Sequence, residues 1–255
     1  NKVQGAKNGR TWGVYDEYAY QFIEQLLNEN TTQPIFIVLL TVTNHSPFEP
    51  PEEYIGGPID ISNISSISPL VDNSKAQQIV KTYQYANNSL GNFISSIKNN
   101  DNLSENTIIA ATGDHYLRIL FNYPEDEIAW KFKVPFYLYL PKQYQQETTK
   151  DLTRFGSHRD IFPTLYNRIF SETAYFNMGN DLLSTNFSAN HEFSYNDEFV
   201  MNTFGAIYSD KETEQKKYYR WQDDNSSKLT PLLEIDSEIS NLLRISNAYE
   251  SIKRN

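Results

Sequence analysis

Two of the four histidines in this sequence follow apolar segments that resemble β-strands. The histidines are His45, His115, His158 and His191. Asp114 and His115 come directly after the stretch NTIIAAT and Gly113. A carboxylate and an imidazole at a strand end suit Zn²⁺ or Mn²⁺, because both ions accept mixed oxygen and nitrogen ligands. In the alternative interpretation Asp114 caps the next turn and His115 is a surface side chain. The strand and glycine context favours a metal site.

His45 stands in a similar place, within TVTNHSPFEPP and directly after the apolar run 34–43. Ligands of open α/β sheets gather outside the carboxyl ends of the strands, so two strands can deliver histidines to one shared site. The alternative is a loop histidine that packs against Phe48 and the neighbouring prolines. We predict that His45, Asp114 and His115 converge at one edge of a sheet.

Helices and strands alternate along the part of the chain that must position these side chains. The expected helices have apolar residues at three- or four-residue spacing, and the expected strands are short apolar runs between turn formers. We expect helices over 16–28, 74–99 and 158–170, strands over 34–43, 107–111 and 134–140, and a long loop over 44–74. This order predicts an α/β fold, with a mainly parallel sheet and helices on both faces.

Polar residues at the expected helix starts have structural interpretations. Ser74 is available as the N-cap of the second helix. Asp16 and Glu17 are adjacent acids, but they are better explained as charges at the positive end of the first helix than as acid–base groups. The third helix is expected to begin near Asp160 as N-cap, with Pro163 in its first turn, where a missing N–H costs nothing.

The sequence changes character after about residue 183 and becomes aromatic and rich in Asn. We predict two domains, an α/β portion over 1–183 and a small α+β appendage over 184–255 with antiparallel strands and a closing helix over 231–252. The aromatic stripe of Tyr218, Tyr219 and Trp221 could stack on carbohydrate, but the appendage needs a small core of its own. His191 is expected at the surface.

Composition excludes several classes of protein. The 255 residues include no cysteine, so a disulfide scaffold, a thiolate zinc site and a cysteine nucleophile are excluded. With 22 basic and 32 acidic side chains the net charge is −10, which argues against a protein that binds nucleic acid non-specifically. The longest apolar run, PIFIVLLTV, is about half of the ~20 residues that a membrane-spanning helix needs.

Six segments together resemble the lipoteichoic acid synthase-like branch of the sulfatase and alkaline phosphatase superfamily. In order, they are WGVYDEYAYQFI, FIVLLTVTNHSPFEPP, LGNFISSIK, NTIIAATGDH, VPFYLYLPK and SHRDIFPTLYN. The combination of GDH, TNHSPF and SHRDIFPTLYN is far more specific than any one of them. The similarity covers roughly residues 10–183. It implies an alkaline phosphatase-like α/β fold, of which this chain resembles the carboxyl-terminal portion of the catalytic domain.

The resemblance also implies a divalent metal, usually Mn²⁺ or Zn²⁺, held by an Asp–His pair, a Glu and a nucleophilic Thr. Asp114 and His115 match the Asp–His pair. His45 matches the family's histidine that contacts the phosphate group of substrate or product. A protonated imidazole there would neutralise charge that develops on a transferring phosphoryl or sulfuryl group.

Four further residues have weaker assignments. Trp12 opens the WGxxDE segment, with Arg10 before it, and both could contact a phosphoglycerol headgroup, although a Trp at the start of an amphipathic helix is more often core. Arg118 could reach an anionic substrate or be a surface cation. His158 lies in the SHRDIFPT motif, whose Asp and Pro shape the turn into a helix, and is interpreted as structural.

The family's Glu and Thr lie upstream of its Trp-Gly segment, and no stretch before Arg10 matches them. We therefore expect the source protein to have further sequence before Asn1, including membrane helices. These would tether it at the extracytoplasmic face of a bacterial membrane, in the periplasm or outside the cell. We expect the present segment alone to be inactive.

The favoured function is that of a metal-dependent phosphotransferase or hydrolase acting on phosphoglycerol, phosphoethanolamine or sulfate esters of the cell envelope, including lipid-linked ones. In the complete enzyme a Thr would attack phosphorus and form a covalent intermediate. The alternative is a non-catalytic sulfatase-like module that binds or scaffolds an envelope complex. The intact Asp114-His115 pair weighs against this alternative.

Overall fold

A computed structural model describes residues 13–29, 32–62, 68–145, 148–170, 174–187, 192–211, 213–222 and 228–253. The chain forms two compact units. The first comprises residues up to 112, together with 117–122 and 136–141; the second comprises 113–116, 123–135 and the residues from 142 onwards. Among the described residues no helix is both long enough and apolar enough to span a bilayer.

Helices α1 (Asp16–Glu29), α2 (Asn73–Asn99) and α3 (Asp101–Ser104) belong to the first unit. The expected helices over 16–28 and 74–99 therefore form. The N-cap of α2 is Asp72, not Ser74, because the Asp72 carboxylate accepts the N–H of Lys75 at 2.9 Å. Helices α1 and α2 pack together, and Tyr20 stacks on Phe93 with 5.0 Å between the ring centroids.

The strands of the first unit are short. They are β1 (Ser68–Pro69), β2 (Ile109–Thr112), β3 (Phe121–Asn122) and β4 (Phe136–Tyr139). Strand β1 pairs with β3 and β2 pairs with β4, both antiparallel, and Ile109 lies opposite Tyr139. The expected strands over 107–111 and 134–140 thus correspond to β2 and β4. The mainly parallel sheet is not confirmed, because every strand pair among the described residues is antiparallel.

The apolar segment 34–40, expected as part of a central buried strand over 34–43, forms no strand in the structure. Most of its side chains are exposed: Phe36 and Val38 are each 81% accessible and Leu40 is 78% accessible. The β-branched, apolar composition is that of a strand buried on both faces. A strand also needs neighbours at its edges, and none of the described strands pairs with this segment.

The second unit contains helices α4 (Ile128–Phe132), α5 (His158–Ile169) and α6 (Ser237–Lys253), and a five-stranded antiparallel meander. The strands, each paired with the next, are β5 (Ser194–Tyr195), β6 (Phe199–Met201), β7 (Gly205–Ser209), β8 (Lys216–Trp221) and β9 (Leu229–Pro231). The meander and α6 fall within the region expected as antiparallel strands and a closing helix.

Alternate residues of this meander face two cores, as the period of two in a β-strand requires. One core contains Phe199, Ala206, Tyr219 and Leu229 with Ala129 of α4. The other contains Val200 and Ile207 with Ile239 and Leu242 of α6, and Phe193. Tyr219 is fully buried, whereas Tyr218 and Trp221 are partly buried against these cores. The aromatic stripe is therefore core, as expected, although this core also includes Ala129 from before residue 184.

Candidate functional site

Asp114 and His115 follow β2 in the chain, and their side chains meet. Oδ2 of Asp114 lies 3.6 Å from Nε2 of His115, and the two side chains are 73% and 59% exposed. Oδ1 of Asp114 accepts the backbone N–H of His115 at 2.9 Å. One carboxylate oxygen therefore fixes the turn while the other faces the imidazole, and both groups are accessible to an ion from solvent.

The protonation of His115 suits a metal ligand. Nδ1 lies 2.7 Å from the carbonyl oxygen of Tyr116. A carbonyl can only accept, so Nδ1 carries the proton and Nε2 has the lone pair in the neutral ring. Two ligands of one tetrahedral Zn²⁺ lie about 3.4 Å apart when each is ~2.1 Å from the ion. The 3.6 Å between Asp114 and His115 fits that requirement. Within the described part of the chain, no group of three or more potential ligands forms around them.

The carbonyl that orients His115 belongs to a residue with packed surroundings. The Tyr116 ring makes an edge contact with Phe132 at 5.2 Å between centroids, and Nζ of Lys131 lies 5.2 Å from its centroid. These contacts anchor Tyr116, and its carbonyl in turn orients the imidazole. An orienting bond of this kind to the second ring nitrogen is typical of metal-bound histidines.

His158, interpreted from the sequence as structural, contacts the same turn. Nε2 of His158 lies 2.7 Å from the carbonyl oxygen of Gly113, 45 residues away in the chain. His158 is the first residue of α5. The interaction thus joins the start of the SHRDIFPT helix to the residue that precedes the Asp114-His115 pair.

The start of α5 is fixed by Asp160, although not as its N-cap. The N-cap is Ser157, and Asp160 is the third helical residue, with Oδ2 accepting the Ser157 N–H at 2.7 Å. Pro163 is the sixth helical residue rather than part of the first turn. Oδ1 of Asp160 accepts the Asn180 N–H at 2.7 Å. Burial raises the pKa of Asp160, and neighbouring Arg159 partly offsets this effect. Ser157 and Asp160 form a reciprocal cap, in which each side chain bonds to the backbone of the other residue. The N-cap therefore lies three residues before Asp160, and Pro163 lies beyond the first turn of the helix.

A glycine in the 174–187 segment packs closely on α5. A Cβ at Gly179 would lie 2.2 Å from the carbonyl oxygen of Arg159. That carbonyl is four residues before Pro163, whose ring nitrogen has no hydrogen to donate to it. In the same segment, the Leu182 N–H bonds to Oγ1 of Thr164 at 2.9 Å.

His45 lies in a turn of the first unit that α1 holds at one side. Oδ1 of Asp16 accepts the N–H of Thr43 at 3.0 Å and that of Val42 at 3.3 Å. Both Asp16 and Thr43 are buried. The His45 side chain is exposed, and its Nδ1 lies 3.1 Å from the Ser46 carbonyl. Asp16 thus positions the residues before His45, in addition to carrying a charge at a helix start.

Helix α2 holds the other side of this turn. The carbonyl of Phe48 accepts hydrogen bonds from Oγ1 of Thr82 at 2.8 Å and Nε2 of Gln78 at 3.0 Å. Nζ of Lys75 donates to the carbonyl of Pro47 at 3.1 Å. Phe48 has φ = +63°, an unfavourable value for a residue with a side chain, and its buried ring packs against α2. Such strain persists where the surroundings fix it, often at functional sites.

The remaining sequence-predicted residues are not brought together by the described contacts. Arg118 lies in an exposed turn of the first unit, so its role as a substrate contact stays a prediction. Arg10, Trp12 and His191 lie outside the described residues. His45 belongs to the first unit, and Asp114 and His115 belong to the second. Their convergence stays a prediction as well.

Comparison with known proteins shows the family of the chain. The sulfatase family model matches residues 1–169. The chain therefore belongs to the sulfatase family, as the motifs predict, and this family generally uses a divalent metal and has an alkaline phosphatase-like α/β fold.

Two curated relatives match most of the chain. The lipoteichoic acid synthase-like protein YvgJ of Bacillus subtilis is 30% identical over 224 residues, which are 79% of this chain and 33% of that protein. Lipoteichoic acid synthase of Staphylococcus saprophyticus is 29% identical over 199 residues, 71% of this chain and 28% of that protein. The chain spans about a third of the length of the curated relatives it matches.

Sequence reasoning missed two residues that organise these turns. From the sequence, Asp16 is only a charge at a helix start, and His158 has only a structural place in its motif. The only sequence signal was that each residue lies in one of the family motifs. Contacts over 27 and 45 residues follow from the fold and not from local pattern.

Proposed function

We propose that this chain supplies two metal ligands and a phosphate-contacting histidine to a metal-dependent phosphotransferase or hydrolase. The substrates would be phosphoglycerol, phosphoethanolamine or sulfate esters of the bacterial cell envelope, including lipid-linked ones. Membership of the sulfatase family and two relatives named as lipoteichoic acid synthase or synthase-like support this class. The observation that carries the proposal is the 3.6 Å approach of Asp114 Oδ2 to His115 Nε2, with Nδ1 bonded to Tyr116.

In this proposal Asp114 and His115 hold Mn²⁺ or Zn²⁺. A divalent cation bound there would polarise the ester and lower the energy of negative charge that develops on its oxygens. Asp114 contributes a carboxylate oxygen, and the Tyr116 carbonyl keeps His115 in the tautomer that binds through Nε2. The ligand pair is exposed, so the cation can also accept substrate or water.

His45 is assigned to the phosphate or sulfate group. Its Nδ1 meets the Ser46 carbonyl, so we assign Nε2 to an oxygen of the ester. When protonated, Nε2 would donate to that oxygen and stabilise charge in the transition state. This role is proposed from the match of His45 to the family's phosphate-contacting histidine. Arg118, with Arg10 and Trp12, is proposed to contact the headgroup.

The whole enzyme is proposed to act at the extracytoplasmic face of a bacterial membrane. The Glu ligand and the Thr nucleophile of the family would come from outside these 255 residues. We therefore expect no turnover of a chromogenic phosphodiester or aryl sulfate by the chain alone. Turnover that survives repurification and is abolished by Asp114→Ala would show that the chain contains a complete site.

Metal titration tests the proposed ligands directly. Zn²⁺ and Mn²⁺ are added separately to the chain, and binding is followed by calorimetry. We expect weak, stoichiometric binding that is lost in Asp114→Ala and in His115→Ala. His45→Ala is the matched control, because it removes an exposed imidazole that is not assigned to the metal. Binding that persists in an Asp114→Ala, His115→Ala double variant would contradict the proposed site and favour a non-catalytic module.

A further inference from the structure

We infer that His158 is a positioning residue for the metal-ligand pair, acting through the carbonyl of Gly113. The inference rests on the proposed function, since it concerns the same Asp114-His115 site. It assigns to the histidine of SHRDIFPT a role in ligand geometry in addition to its place in the turn. All four residues belong to the second unit of the chain.

The direction of the hydrogen bond follows from the chemistry of its two atoms. Nε2 of His158 and the carbonyl oxygen of Gly113 are 2.7 Å apart. Because the carbonyl has no proton to give, the imidazole donates, and Nε2 carries the hydrogen. The proton on Nε2 also makes that nitrogen a poor candidate for a metal ligand, which separates the role of His158 from that of His115.

The effect on the ligands follows from the rigidity of the peptide bond. The Gly113 carbonyl and the Asp114 amide belong to one planar peptide unit. Holding the carbonyl oxygen therefore sets the orientation from which the Asp114 side chain leaves the backbone. The Asp114 carboxylate then bonds to the His115 N–H at 2.9 Å, and its other oxygen faces Nε2 of His115.

His158 itself stands at a well-fixed point of the structure. It is the first residue of α5, between the N-cap Ser157 and the buried carboxylate of Asp160. Asp160 binds Ser157 on one side and the Asn180 amide on the other, at 2.7 Å each. The imidazole of His158 is therefore attached to a well-fixed helix end. The Asp114-His115 turn is exposed, so the hydrogen bond from His158 stabilises it. Groups that bond directly to a metal ligand usually contribute about 10–100-fold to metal affinity, and His158 acts one peptide unit away from Asp114.

The test is the affinity of the 255-residue chain for Zn²⁺, measured by calorimetry in a set of variants. His158→Ala should weaken binding by about 10-fold, the lower end of the usual range for an orienting partner, because the bond is exposed. His158→Gln should keep affinity within about threefold of the unmodified chain, since its amide can donate to the same carbonyl. A ligand role for His158 predicts that the Gln variant loses affinity as the Ala variant does, and that result would overturn the inference.

Phe162→Ala is the matched control on the same helix. The Phe162 ring contacts Tyr166 and Tyr175, so its loss should lower the melting temperature. It should leave zinc affinity unchanged, because the ring contacts of this side chain are with Tyr166 and Tyr175. If Phe162→Ala and His158→Ala both lost stability and zinc affinity to the same extent, His158 would be a general structural residue and the inference would be wrong.

Two further results separate failure of the inference from failure of the proposed site. If His115→Ala loses zinc binding while His158→Ala binds as the unmodified chain does, the site stands and the positioning role is wrong. If His115→Ala binds normally, the proposed site is itself wrong. The tautomer of His158 can be measured by nitrogen NMR in the unmodified chain without any variant. We expect hydrogen on Nε2, and hydrogen on Nδ1 of a neutral ring would contradict the inference.

Discussion

Asp16 and Thr43 exchange hydrogen bonds in both directions across 27 residues of sequence. Oγ1 of Thr43 accepts the backbone N–H of Asp16 at 3.0 Å and donates its own proton to the Asp16 carboxylate at 2.6 Å. Each is almost completely buried. This pair joins the WGVYDE motif to the TVTNHSPF motif, and it fixes the chain two residues before His45.

The first prediction concerns this pair. Asp16→Ala should destabilise the first unit by about 3 kcal/mol, because the buried Thr43 hydroxyl and amide lose their acceptor. Asp16→Asn, which keeps one acceptor oxygen, should cost about half as much. Chemical denaturation measures both changes, and the nitrogen NMR signals of His45 report the effect on the turn.

Glu17→Ala is the control for the Asp16 variants. It removes a neighbouring acid at the same helix start, which should cost about 0.3–1 kcal/mol. If Asp16→Ala and Glu17→Ala lowered the free energy of unfolding equally, both acids would act only as helix charges. The hydrogen bonds between Asp16 and Thr43 would then contribute nothing further to stability.

The second prediction compares two glycines. Gly179→Ala should destabilise the chain by about 2 kcal/mol or more, because the new Cβ would meet the Arg159 carbonyl at 2.2 Å. Gly91→Ala should instead stabilise by about 0.5–1 kcal/mol, since Gly91 lies within α2 and a Cβ there meets nothing within 4 Å. Melting temperatures of the two variants should therefore move in opposite directions. A stable Gly179→Ala variant would mean that the backbone contact with α5 is looser than described.

The third prediction concerns the start of α6. Oδ1 of Asp236 accepts the Ile239 N–H at 2.9 Å, and Oδ2 meets the guanidinium of Arg220. The hydrogen bond from the Ile239 amide is the main cause that lowers the pKa of Asp236 below its ordinary value of 3.8, and Arg220 lowers it further. Asp236→Ala should cost about 1 kcal/mol for the lost cap. Asp236→Asn should keep the cap and cost less.

The lowered pKa gives the Asp236 contribution a definite pH dependence. The native state holds fewer protons on this group than the unfolded state does, so the contribution is complete above the unfolded pKa. It disappears as pH falls through the lower, native pKa. Urea unfolding measures the free energy of unfolding of the unmodified chain and of Asp236→Asn at a series of acidic pH values. The difference between the two should therefore become smaller as the pH falls. An advantage that stays constant into strong acid would contradict a lowered pKa.

The fourth prediction concerns metal binding and pH. Zinc binding by Asp114 and His115 should weaken steeply as the solution becomes acidic, because His115 must be neutral for Nε2 to bind a cation. Calorimetric titrations at neutral and at acidic pH measure this loss. Binding that stays equally tight in acid would place the metal on carboxylates alone, and its persistence in His115→Ala would locate it elsewhere.

Local sequence pattern was sufficient for α1, α2, α5, β2 and β4, because their apolar spacing and turn formers are properties of short segments. It also placed Asp114 and His115 at a strand end. The pattern failed for 34–43, since an apolar β-branched run shows what a strand needs but not which strands are there to pair with it. It also failed for the contact of His158 with Gly113, because a hydrogen bond over 45 residues depends on how the 113–116 turn and α5 meet within the second unit.

The exposed apolar segment 34–40 has a consequence for the colloidal behaviour of this chain. An apolar, β-branched segment with Phe36, Val38 and Leu40 in solvent can pair between molecules, and the net charge of −10 opposes such pairing at neutral pH. That repulsion vanishes near the sequence pI of about 4.9, where the chain should precipitate most readily. A lysine at Val38 would interrupt the apolar segment and keep the chain dispersed at moderately high salt, where screening otherwise removes the protection of net charge.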